Sequence, residues 1–165
     1  MNFTLVDRIA ELIPSKSIRT IKQVSMAEEY LADHFPGFPV LPGVMMLESA
    51  VEAASWLVYE HTQFTKSLVV LKEARQIRYG NFVAPGETLV ITAEAVRIDP
   101  LASEFKIRGV VGNATAIQGK MLLSHMNLSD TDAAMAVVDE NIIQRRKARW
   151  AILQPSPSAT PRAET

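Results

Sequence analysis

A chain of 165 residues and 18.2 kDa has room for one domain with a sizeable core. With 48% hydrophobic residues, 21% charged residues and a net charge of −1, nothing in its composition suggests nucleic acid or a membrane surface as a partner. The absence of cysteine excludes disulfides, thiolate metal sites and cysteine nucleophiles, and fits a cytoplasmic protein.

From Phe3 to Ile13, Leu5, Ile9, Leu12 and Ile13 recur at helical spacing opposite Asp7, Arg8 and Glu11, which predicts a helix ended by Pro14. The same charges leave no basic stretch followed by an apolar run, so the start does not read as a signal peptide. Ser17 to Ser25 alternates at Ile18, Thr20 and Val24 and reads as a strand, with Ile21 off the rhythm. Met26 to Asp33 reads as a short helix leading into a loop. That loop holds His34 and is stiffened by Pro36, Gly37, Pro39, Pro42 and Gly43. A helix from Val44 to about His61 follows, apolar nearly all round, and such a helix belongs in a core. No stretch suits a membrane span, because Glu48 and Glu52 interrupt this one.

The rhythm then changes to period two. Leu68 to Tyr79, Glu87 to Asp99, Ser103 to Gly112 and Ala114 to Leu128 read as strands, separated by Ala84-Pro85-Gly86, Asp99-Pro100 and Gly112-Asn113. Four long strands after one apolar helix predict an α+β fold in which an antiparallel sheet wraps that helix. Ser129 or Asp130 is the expected cap of a further helix running to about Leu153. Its basic cluster Arg145, Arg146, Lys147 and Arg149 reads as a solvated end. Residues 154–165, rich in Pro, Ser and Thr, read as a disordered tail. The division is thus a domain over 1–128, a helical extension over 129–153 and a tail over 154–165.

The exceptions on the apolar helix carry the chemistry. Glu48, Glu52 and Ser55 fall at i, i+4 and i+7, on one stripe. A carboxylate on a buried helix is costly unless something uses or satisfies it. Pro42-Gly43 opens the helix, and its first N–H groups point into whatever lies in front. A histidine folded back toward these donors and a half-buried acid together equip a pocket for proton abstraction beside a carbonyl. His61 near a helix end and His125 on a strand lack such surroundings and are read as non-catalytic.

The segment HFPGFPVLPGVMMLES resembles the active-site segment of the FabZ-type β-hydroxyacyl-(acyl carrier protein) dehydratases. His34, Pro42-Gly43-Val44 and Glu48 match that family's pattern, and the likeness runs from about Phe3 to Leu128, including LVDRIAELIP and RYGNFVAPGETL. The resemblance implies the hotdog fold: an antiparallel sheet around a central helix, here with an added C-terminal helix. It implies dehydration of a (3R)-3-hydroxyacyl thioester on acyl carrier protein to the trans-2-enoyl thioester, in fatty-acid or related lipid synthesis. His34 and Glu48 become the catalytic pair, the Gly43 N–H the carbonyl binder, and no cofactor or metal is called for. The implied partners are an acyl carrier protein bearing a 3-hydroxyacyl-phosphopantetheine and a second copy of the chain. In a homodimer, or a trimer of dimers, the glutamate approaches the histidine from the adjacent subunit.

Where the family usually carries glutamine, one turn after the acid, this chain has Glu52. The expectation is that the acidic pair retains one proton and that a neutral Glu52 imitates the amide. Phe35, Phe38, Met45, Met46, Val69, Val70, Leu71, Phe82 and Val83 are candidates for an acyl tunnel, although each taken singly is better read as plain core. Arg75, Arg78, Arg97 and Arg108 are candidates to meet an acidic carrier, or ordinary strand-surface charge. The competing functional classes are a hotdog acyl thioesterase, against which the His34 loop argues, and a non-catalytic acyl-binding subunit.

Overall fold

Alternating side chains give each strand one apolar face, and those faces need a common cover. In the computed structural model, which describes residues 4–154, the chain runs β1 (Arg8–Ile13), β2 (Ser17–Gln23), α1 (Gly43–His61), β3 (Leu68–Tyr79), β4 (Thr88–Ile98), β5 (Ala102–Val111), β6 (Ala114–Met126) and α2 (Ala136–Leu153). The strands form a six-stranded antiparallel sheet in the order β1-β2-β4-β5-β6-β3. The cover is α1, which touches β2, β3, β4, β5 and β6. Leu89, Ile91 and Ala93, Phe105 and Ile107, and Ile117, Met121 and Leu123 close against Ala53, Trp56 and Leu57 of the helix. Each large side chain so buried contributes about 1.5–3 kcal/mol relative to exposure. The sheet wraps the helix, as the period-two pattern predicted.

The first segment corrects the sequence reading. The residues expected to open as a helix are extended, and Arg8–Ile13 pairs with β2. Between Ile9 and Glu11 the register shifts by a bulge. The extra residue returns Ile9 and Leu12 to the core side although they are three apart. A bulged strand therefore copied the spacing of a helix. The helix expected over Met26–Asp33 shrinks to a single 3-10 turn, Glu29–Leu31. That turn is fastened to β2 by the buried Lys22, which ion-pairs with Glu28.

The C-terminal helix also starts later than expected. Asn127 and Asp130 form a capping box that closes on the 3-10 turn Leu128–Asp130, and Asp132 caps a second turn at Ala134. Each polar residue thus caps its own short turn, and α2 begins only at Ala136. Asp139 holds it down by accepting from the Ser67 hydroxyl and the Leu128 and Ser129 N–H groups. Those donors pull its carboxyl well below the usual range, against the opposing effect of burial. Trp150 packs on Trp56 and Phe64 with ring centroids 5.9 and 5.8 Å away. The expected tail lies, beyond Gln154, outside the described residues.

His125 is 2% exposed on the inner face of β6, bonded through Nε2 to the Ser103 hydroxyl at 2.9 Å. Burial, with Lys66 and His61 nearby, pushes its pKa down from 6.5 to about 4. The unfolded chain therefore binds a proton that the folded chain refuses, and stability is lost as pH falls from about 6.5 toward 4. We expect urea unfolding to show a loss of up to about 3 kcal/mol across that window, and His125→Gln to flatten it. An equal slope in both proteins would exclude His125 as the source.

Candidate active site

The His34 loop is built by short backbone bonds. The Phe35 and Phe38 N–H and C=O groups bond each other at 3.1 and 2.9 Å, and the Val40 N–H reaches the His34 carbonyl at 3.0 Å. Gly37 takes φ +82°, which a residue with a Cβ adopts only under strain. The His34–Phe35 peptide is cis. Leu41 then ties the loop to Val83 at 2.8 Å, and the Pro42 carbonyl accepts from Met45 and Met46 to start α1. The N–H groups of Gly43 and Val44 precede the first intrahelical bond.

His34 lines a cavity of about 400 Å³ with Phe35, Val40, Leu41, Gly43, Met46, Tyr79, Gly80, Asn81 and Phe82. The Tyr79 ring lies so close over Gly43 that a Cβ there would meet it at 3.1 Å. Of the expected tunnel residues, Phe35, Met46 and Phe82 line this cavity, and Phe38 stands edge-on to Phe82 at the surface, 5.5 Å away. Met45 and Val83 instead point into the core, at 8% and 0% exposure, because a residue next to Met46 or Phe82 in the chain faces another way.

Glu48 lies elsewhere. It borders a second cavity, of about 560 Å³, with Val51, Glu52, Ser55, Trp56, Tyr59 and Val69, and with Ile142, Arg145, Arg146 and Arg149 of α2. Five residues along an α-helix is a turn of roughly 140° beyond a full circle. Gly43 with Met46 and Glu48 with Glu52 are thus on different flanks, and one chain does not bring His34 and Glu48 into one cavity. In the single chain Glu48 is exposed at the rim. Its pKa is still raised, first by loss of hydration and then by Glu52.

Glu52 meets a partner that the sequence reading did not provide. Its Oε1 pairs with Arg149 at 2.9 Å and its Oε2 accepts from the Leu5 N–H at 2.9 Å. Burial, the larger effect, pushes the Glu52 carboxyl upward, while the Leu5 N–H and Arg149 favour its charged form. The arginines correct the picture of a solvated basic end. Arg146 stacks over Tyr59 at 4.6 Å and donates to the Ser67 carbonyl, so two guanidiniums face inward. The clue lay in the spacing: Ile142, Arg146 and Arg149 sit at i, i+4 and i+7 on one stripe, as Glu48, Glu52 and Ser55 do. Tyr79 was missed because period two marks it only as a strand residue. Arg75 and Arg97 bond Glu73 and Asp99, as ordinary surface charge does.

Residues 11–120 match the model of the ApeI-like dehydratase family. A 3-hydroxyacyl-[acyl-carrier-protein] dehydratase FabZ of Myxococcus xanthus is 34% identical over 134 residues, covering 80% of this chain and 87% of the relative. The FabZ of Albidiferax ferrireducens is 34% identical over 122 residues, covering 72% and 81%. Among solved structures, the dehydratase heterocomplex ApeI:P from Xenorhabdus doucetiae superposes with a TM-score of 0.66 at 16% identity, covering 81% of this chain and 90% of that one. That likeness supports the hotdog fold.

A carboxyl with a raised folded pKa loses stability as pH rises through that value. Glu48→Gln should therefore melt near the wild-type temperature at about pH 4, and above it by pH 8. A gap that does not open between these pH values would show Glu48 to be fully hydrated.

Proposed function

We propose that this chain, which belongs to the ApeI-like dehydratase family, removes water from a (3R)-3-hydroxyacyl thioester carried on acyl carrier protein and leaves the trans-2-enoyl thioester. This is hydro-lyase chemistry of fatty-acid or related lipid synthesis, the activity named for its FabZ relatives. The carrying observation is the His34 cavity: an imidazole beside the unbonded start of an apolar helix, walled by aromatic rings. His34 takes the proton from the carbon next to the thioester carbonyl. The Gly43 N–H, with the helix dipole behind it, stabilises the charge growing on the carbonyl oxygen. Glu48 gives its proton to the departing hydroxyl, and the raised pKa of its carboxyl, from lost hydration and then Glu52, favours the protonated form this role needs. Phe35, Met46 and Phe82 receive the acyl chain.

Because His34 and Glu48 lie on different flanks of α1, the pair is completed by a second copy, with each site sharing the two chains. β3 supports such pairing: it is a 12-residue edge strand with β6 on one side only. The carrier has its own surface. Lys106 stands opposite Lys120 across β5 and β6, and with Arg78 and Arg108 they line a cleft of about 450 Å³ that includes no acidic residue among the described residues. Like charges across a ladder cost stability, so an acidic partner accounts for them.

With a 3-hydroxyacyl thioester, we expect enoyl absorbance; release of free thiol would mean a thioesterase, and neither product a binding subunit. His34→Ala and Glu48→Gln should each lower kcat by about 10²–10⁴-fold. Co-refolding equal amounts of the two variants should restore about a quarter of wild-type activity, since half the dimers hold one intact site of two. No restoration would refute the shared site. Lys106→Glu with Lys120→Glu should raise KM for the carrier-linked substrate and leave KM for a short N-acetylcysteamine thioester unchanged.

A further inference from the structure

The helix α2 lies beyond residues 11–120, the part matched to the family, yet it walls the cavity that holds the acid. We propose that Arg149 is a positioning residue: by holding Glu52 as the anion, it reserves the proton of the Glu48–Glu52 pair for Glu48. The proposal rests on the reading of Glu48 as the acid of the dehydration.

Two carboxyls one helical turn apart do not both ionise cheaply away from water, so the proton settles where the anion is less supported. Both oxygens of Glu52 are engaged, one by Arg149 and the other by the Leu5 N–H. Arg146 and the indole N–H of Trp56, which makes no full hydrogen bond, also favour its charged form. Burial pushes Glu52 upward all the same, and outweighs these partners. Among the described residues of one chain, Glu48 has nothing of the kind: no group favours its anion, and Glu52 opposes it. Among the same described residues of one chain, the titratable groups around the pair are Tyr59 on α1 and Arg145, Arg146 and Arg149 on α2; β3 presents only the apolar Val69. The order of acidity within the pair therefore follows from which carboxyl the α2 guanidiniums reach. Arg149 also approaches the Val6 carbonyl at 3.4 Å, so a latch between α2 and the N-terminal segment is the purely structural alternative.

The pH profile of kcat/KM separates the two roles. In Arg149→Met the proton moves to Glu52 and Glu48 ionises first. Turnover at pH 7.5 should fall about tenfold and the basic limb should move about one pH unit lower. Arg149→Lys should keep most of the activity, and Glu52→Gln/Arg149→Met should regain most of it, because no rival for the proton remains. A double variant as impaired as Arg149→Met would leave only the latch and overturn the proposal. A second readout needs no turnover: carbon-13 NMR titration of the glutamate carboxyls. In otherwise wild-type protein the higher-titrating cavity carboxyl should vanish in Glu48→Gln and persist at lower pH in Glu52→Gln. Its loss in Glu52→Gln instead would refute the assignment. If Glu48→Gln and His34→Ala kept full dehydration, the catalytic reading would fail, and the titration order would still decide the hold of Arg149 on the pair.

Discussion

The central constraint is a helix largely removed from water that carries two carboxylates along one stripe. Twelve residues of α1 are buried, and β2, β3, β4, β5 and β6 all contact it. A helix so placed cannot turn to improve one polar contact without disturbing the packing of Trp56, Leu57 and their neighbours in the core. Its polar positions are therefore fixed by the packing, and the rest of the protein has to supply their environment. On one flank that environment is the proline-stiffened loop with His34. On the other it is α2 with its arginines.

This rigidity has a consequence for assembly. A helix brings residues three or four apart together and sends those five apart to another side. Gly43 and Glu48 are five apart, so the proposed donor to the carbonyl and the proposed acid lie on different sides of one chain. In the proposed site a second copy of the helix supplies what the first cannot turn toward. The exposed aromatic residues Phe35, Phe38, Tyr79 and Phe82 beside His34 are consistent with such a cover, since so many apolar rings in one place are unusual on a free surface.

The acidic pair shows how a local liability is managed by a distant segment. Glu52 would be an expensive neighbour for Glu48 if left alone. Arg149 arrives from nearly 100 positions later in the chain, roughly the span of all four following strands and their turns. Its approach depends on Asp139 anchoring the start of α2 at Ser67 and on Trp150 seating the end on Trp56. Surface ion pairs contribute little to stability; this one, with the carboxylate 19% exposed, acts on the charge state of the cavity.

Much of this was legible in the order of residues alone. The strands Leu68–Tyr79 and Ala114–Met126, the helix Gly43–His61 and the loop of His34 follow from local rules: period two, an apolar run bounded by Pro-Gly, and proline stiffening. Those rules act between neighbours, so a linear reading finds them. What it mistook were places where a distant contact overrides the local pattern. A bulge against β2 gave β1 the spacing of a helix, the caps of two short turns delayed α2, and inward packing turned a basic run from solvent toward Glu52 and Tyr59. Sequence fixes which side of an element a residue occupies. Only the packing of elements decides what stands opposite it, because that depends on chain segments far apart in number.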